Sequence, residues 1–239
     1  MKNIIIPFLL GVIFLVAFVI YNTYSFSITI DTVFLTITTF FFAILTGFFI
    51  SRQGTRYGQI RQEIANFDGN LSSIYRTAMH LSNEAQERIG IIIKKHYLPI
   101  VERHEWDYHF THETSTLTDI HRELEASITE KTIVGILSGI TLSLRDNQLI
   151  RKRMVALHEE RIPMFQWTLI FLLATVLIVN LSLLSSVGIV LYSVLKAVFV
   201  VAVIAVIILL YQLDSLKLFK GFIGERSATD LLDIIEGKK

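Results

Sequence analysis

The sequence predicts an all-α membrane fold: four transmembrane helices, with a helical cytoplasmic domain inserted between the second and the third. Three observations carry this. First, 52% of the 239 residues are hydrophobic and only 18% charged, and the charges are segregated. No charged residue stands between Lys2 and Asp31, between Asp31 and Arg52, from Ile162 to Leu195, or from Ala197 to Leu213. Runs of that length cross a hydrocarbon core about 30 Å thick as helices. Second, 15 of the 22 Lys and Arg residues fall between Ser51 and Pro163. Third, apolar residues in that middle segment recur at helical spacing.

The composition excludes several classes. A soluble globular enzyme does not carry such runs, and three prolines with 11% aromatic residues do not describe a disordered chain. With no cysteine there is no disulfide framework, zinc–thiolate site, iron–sulfur cluster or thiol nucleophile. A net charge of +1 predicts no nucleic-acid partner.

The expected spans are Ile4–Tyr21, Val33–Ile50, Met164–Leu184 and Ile189–Tyr211. The first is too long for a signal peptide, and Asn22-Thr23-Tyr24-Ser25-Phe26 offers no small-x-small cleavage site. Orientation follows from the basic residues. Arg52, Arg56 and Arg61 follow the second span, and Arg151, Lys152, Arg153 and Arg161 precede the third. The connections 22–32 and 185–188 contain no Lys or Arg. Both termini and the middle segment are therefore expected in the cytoplasm, with Ser27 and Ser186 outside. The expected organisation is a first membrane hairpin (1–50), a cytoplasmic helical domain (51–163), a second membrane hairpin (164–211) and a cytoplasmic tail (212–239).

The middle domain carries 15 basic and 15 acidic residues, which argues against a polybasic lipid clamp. Tyr57, Ile60, Ile64, Phe67, Leu71, Ile74, Ala78 and Leu81 alternate at 3–4 spacing, the seam of a long packed helix. The seam passes in register through Asp68-Gly69-Asn70, which would otherwise read as a turn. The spacing therefore predicts one helix from the second span to about Leu81. A second helix starts at Ser82 or Asn83 and reaches about Trp106, bent near Pro99. A loop over 110–115, a short helix Thr116–Ser127 and a long helix Glu130–Arg161 complete the domain.

Three side-chain patterns suggest chemistry. His104, Glu105, Asp107, His109, His112 and Glu113 crowd together, but the H-E-x-x-H zinc pattern is absent. In H-E-W-D-Y-H the second imidazole stands roughly 140° around the helix from the first. A solvated helix end is the expectation, with no metal and no cofactor. Lys196, the one basic residue inside a span, sits roughly 10 Å along the fourth helix. It either snorkels to the outer headgroups or lines an outer pore mouth. The second span carries two stripes. Thr32, Thr36, Thr39, Ala43 and Thr46 form a small polar face suited to close packing or contact with water. Phe40, Ile44 and Phe48 form a bulky apolar stripe. It faces lipid in a single subunit, or gates by dewetting in a ring of subunits. No P-loop, G-x-S-x-G elbow or inverted-repeat signature is present, so neither an ATP-driven pump nor a hydrolase is expected.

Several short motifs resemble one membrane family. Gly47-Phe48-Phe49-Ile50-Ser51-Arg52 with Arg56-Tyr57-Gly58-Gln59 is similar to the end of the second helix of bestrophins. Leu71…Ile74-Tyr75-Arg76, Tyr97…Val101…Glu105-Trp106, Arg151…Arg153 ahead of Pro163…Trp167, and Leu213-Asp214…Phe219-Lys220-Gly221 resemble a prokaryotic bestrophin-like group of unknown function. The group's Asp-x-Pro-Phe after the last span is replaced by a longer, proline-free stretch from Asp214 to Phe219. The resemblance implies four spans, cytoplasmic termini and a pentameric ion channel around a central pore. Its neck would be formed by the Gly-Phe position and the residues four and eight before it: Phe48, Ile44 and Phe40. Asp230, Asp233 and Glu236 match the acidic calcium clasp of animal bestrophins poorly, so calcium gating is not implied.

The sequence reading is therefore a homo-oligomeric, multi-pass protein of the cell membrane (plasma or inner), in contact with lipids, passing inorganic ions passively and not acting as an enzyme. The alternative is a non-conducting membrane scaffold or signalling protein that binds a partner through its cytoplasmic helices.

Overall fold

The computed structural model describes residues 2–24, 32–108, 112, 114–127, 134–184, 190–217 and 224–238, with side chains described from residue 5 and, in the last stretch, from 226. Among them the regular structure is helical: α1 (Lys2–Thr23), α2 (Thr32–Ala78), α3 (Asn83–Arg103), α4 (Thr116–Ser127), α5 (Val134–Glu159), α6 (Met164–Leu183), α7 (Val190–Asp214) and α8 (Gly224–Ile235). Four helical stretches are long and apolar enough to cross a membrane. They lie in α1, in α2, in the stretch ending at Leu183, and in α7. The predicted start of the long helix at Glu130 lies outside the described residues.

The chain divides into two compact units. One comprises Met1–Gly54 with Arg161–Ser215, the other Thr55–Glu160 with Leu216–Lys239. In the first unit, α1 packs on α7. Ala17 and Tyr21 meet Leu181, Ala197 and Val200 there. A second cluster joins Phe42 and Phe49 of α2 to Ile170, Ala174 and Leu177 of α6 and to Val203 and Leu210 of α7. Many large side chains of these helices remain exposed in the single chain, Phe8, Phe40 and Phe165 among them. That is the expected surface of helices whose solvent is lipid or another subunit.

The second unit is built around a buried apolar cluster. Phe67, Leu71, Ile74 and Ala78 of α2 meet Ile89, Ile93, Tyr97 and Ile100 of α3, Ile120 and Leu124 of α4, Ile140 and Leu144 of α5, and Ala228 and Leu231 of α8. The α2 residues are those of the 3–4 seam. α2 passes through Gly69 without interruption and ends at Ala78. Ser82 then caps α3 by accepting the Ala85 amide at 3.0 Å. Pro99 stands inside α3, and His104 ends the helix in a left-handed conformation (φ 54°). α5 stops at Glu159, earlier than Arg161; residues 160–162 are outside regular structure ahead of Pro163, the N-cap of α6, whose ring disfavours helical backbone at Ile162.

One glycine stands where packing leaves little room for a side chain. A Cβ on Gly90 would stand 3.0 Å from the Tyr75 ring and 3.3 Å from Ile235 Cγ2. The Tyr75 hydroxyl donates to the Ile235 carbonyl at 3.3 Å. Gly90 thus lets α3 approach α2 and α8 closely.

Candidate functional site

At about 100° per residue, Thr38, Phe42, Phe49 and Gln53 share one side of α2. All four are buried against the first unit's own helices or end segments. Phe40, Ile44 and Phe48 lie on the opposite arc and are 61%, 54% and 60% exposed. The stripe is therefore unused by the chain's own packing. Gly47, on the same arc, has open space around its Cβ position.

The threonine stripe divides. Thr32, Thr36 and Ala43 are exposed, Thr39 is half-buried, and Thr46 is 3% exposed and belongs to the packed side. The hydroxyls turn inward. Thr36 donates to the Thr32 carbonyl, Thr38 to Phe34, Thr39 to Leu35 and Thr46 to Phe42, at 2.6–2.9 Å. Back-bonding of this kind satisfies a hydroxyl in an apolar surrounding without a second helix.

Polar groups gather at both ends of the first unit's helices. At one end, the Asp214 carboxylate, closing α7, accepts the Ile162 amide at 2.7 Å and the Gln53 side-chain amide at 3.3 Å. Gln53 is 1% exposed and Asp214 8%. At the other end Tyr21 pairs with the Ser182 hydroxyl at 2.9 Å, and Ser193 donates to the Tyr21 carbonyl. Lys196 is 6% exposed. Its ammonium donates to the Leu184 carbonyl and stands 5.4 Å from the centre of the Tyr21 ring. The sequence marked Lys196 as the odd residue of its span. The backbone acceptor that holds it has no sequence signature.

In the second unit, Arg56, a marker of topology and part of the Arg56-Tyr57 pair that resembles bestrophins, is 2% exposed. Its guanidinium donates to the carbonyls of Leu157 at 2.5 Å and His158 at 2.7 Å, capping the C-terminus of α5. A cation there also meets the negative end of the helix dipole. The described members of the histidine-rich stretch do not converge. His104 is an exposed cap, while Asp107 faces His158 at 3.5 Å. His109 and Glu113 lie outside the described residues. Among the described residues no group of three or more His, Asp or Glu is placed to hold a metal ion.

A family model described as a Bestrophin-like domain matches residues 5–224, from the first span to the start of α8. The chain belongs to the bestrophin-like family. No curated protein and no solved structure matches it. Family and apolar helices together make this bestrophin-like chain a membrane protein.

Proposed function

We propose that this bestrophin-like protein forms a homo-oligomeric, pentameric ion channel in the cell membrane, with the second helix of each subunit lining a central pore. The supporting observation is the Phe40–Ile44–Phe48 stripe. It is bulky, apolar and exposed on the arc of α2 that faces away from its packed side. Rings of these side chains would make a constriction about 12 Å long, from eight residues at 1.5 Å each. A narrow apolar slot of that length dries readily, so the closed state needs no charged plug. In this reading residues 51–163 form a cytoplasmic domain between the second and third spans, and both termini are cytoplasmic. Lys196 contributes to the outer end of the helix bundle, and the threonine face packs neighbouring helices or meets water.

Ion flux from liposomes reconstituted with the purified protein, under opposed anion and cation gradients, tests this. Truncating Phe40, Ile44 and Phe48 together to Ala should raise flux with assembly unchanged. Unchanged flux in that variant, with block by a bulky residue at Thr39 or Ala43, would move the pore to the threonine stripe. No conduction in either background would favour the scaffold.

A further inference from the structure

The second unit carries a partly open cavity of about 440 Å³. That volume suits a small organic ligand. Its inner wall is apolar and buried: Phe67 of α2, Ile100 of α3, Trp106 beyond it, and Met154 of α5. The polar groups of the inner wall are already engaged within the unit. Asp68 accepts the Tyr97 hydroxyl on Oδ1 and the Ser227 hydroxyl on Oδ2. His96 Nδ1 stands 2.9 Å from the Thr116 hydroxyl.

The rim is different in kind. Gln148, Arg151 and Lys152 line the cavity from one face of α5, at helical positions i, i+3 and i+4. Arg151 is half-buried and Lys152 exposed. Among the described residues neither takes part in an ion pair, whereas the adjacent Arg153, on another face, reaches Glu63 at 3.5 Å. A partly desolvated guanidinium at the mouth of an apolar cavity is a site for an anion. Tyr97 and Trp106 of one family-like motif and Arg151 of another line this one space.

We propose that this cavity binds a small amphipathic carboxylic acid. Its aromatic or short aliphatic body lies against Phe67, Ile100, Trp106 and Met154, and its carboxylate rests on Arg151 and Lys152. An organic cation is disfavoured at the entrance because, among the described rim residues, the charges without an ion pair are positive. The proposal stands apart from the channel reading, since it concerns binding and not flux.

Three probes with one body and different heads decide it: 3-phenylpropionate, 3-phenylpropylamine and 3-phenylpropanol. The full-length protein is used in lipid nanodiscs with Trp167→Phe, leaving Trp106 as the one tryptophan of the two in the chain. The carboxylate should give a saturable change in Trp106 emission, with the amine and alcohol at least about tenfold weaker, as expected for a charge-assisted contact. Arg151→Gln with Lys152→Gln should weaken the carboxylate about tenfold and leave the alcohol response unaltered. Arg151→Glu with Lys152→Glu should reverse the order of carboxylate and amine. Any one of four results overturns the proposal: no saturable response to the carboxylate, an amine that binds as well or better, an alcohol that binds equally, or a double Gln variant that binds like the parent.

Discussion

Replacing Asp68 by Asn removes a buried negative charge and keeps the side chain's shape. Asp68 joins α2 to α3 through Tyr97 and to α8 through Ser227. Burial pushes its carboxyl from the ordinary 3.8 up to about 6, against the two hydroxyl bonds that pull it down. The folded protein therefore binds this proton more tightly than the unfolded chain does. The contribution to stability is fully present below about pH 4 and is lost as pH rises through about 6. Between pH 4.5 and 7.5 that loss comes to about 2 kcal/mol, from 1.36 kcal/mol per pH unit over the part of the shift this window covers. Asn can accept one hydroxyl and donate to the other, so both contacts survive without the titration. Hydrogen exchange of the α3 and α8 amides, in full-length wild type and Asp68→Asn at both pH values, measures the difference. Groups elsewhere in the chain are common to both proteins, so the comparison isolates the site of the substitution. The wild type should lose about 2 kcal/mol more protection than the variant on going to pH 7.5. Equal pH slopes in the two proteins would refute the reasoning.

Gly90→Leu should force Tyr75 and Ile235 apart and cost about 1–3 kcal/mol, read as faster hydrogen exchange in α8 with α1 unaffected. Arg56→Ala should leave the last carbonyls of α5 unpaired and cost about 3 kcal/mol. Arg56→Lys should recover only part of that, because one ammonium cannot match the guanidinium fork; denaturant unfolding of the three proteins gives the order. For topology, single cysteines at Ser27 and Ser186 should react with an impermeant thiol reagent in intact cells. A cysteine at Ser186 that reacts only after permeabilisation would invert the proposed orientation.

The helical character, the spans and the α2 seam were legible because each is a periodic signal carried by neighbours in the chain. Ile60, Phe67, Leu71, Ile74 and Ala78 can be placed on one face by counting alone. Asp68 was not legible. Beside Gly69 and Asn70 it has the local look of a turn, and its partners Tyr97 and Ser227 lie 29 and 159 residues away. Arg56 and Lys196 were visible as charges, but both are held by backbone carbonyls, at Leu157 and His158 for one and Leu184 for the other. Every residue carries a carbonyl, so no pattern announces which one will be used. The Phe40–Ile44–Phe48 stripe was legible as a stripe. Whether a single chain covers it required coordinates, and the chain leaves it open.

The inward-turned hydroxyls of Thr36 and Thr39 bear on dehydration. Each hydrogen points into the backbone of its own helix, so outward there remain only oxygen lone pairs. Were this flank, and not the phenylalanine stripe, to line the proposed pore, a cation shedding part of its water beside it would find replacement ligands. An anion would find none unless a hydroxyl first gave up its carbonyl. The toll on that path would then fall unequally on the two signs of charge, although the flank carries no formal charge.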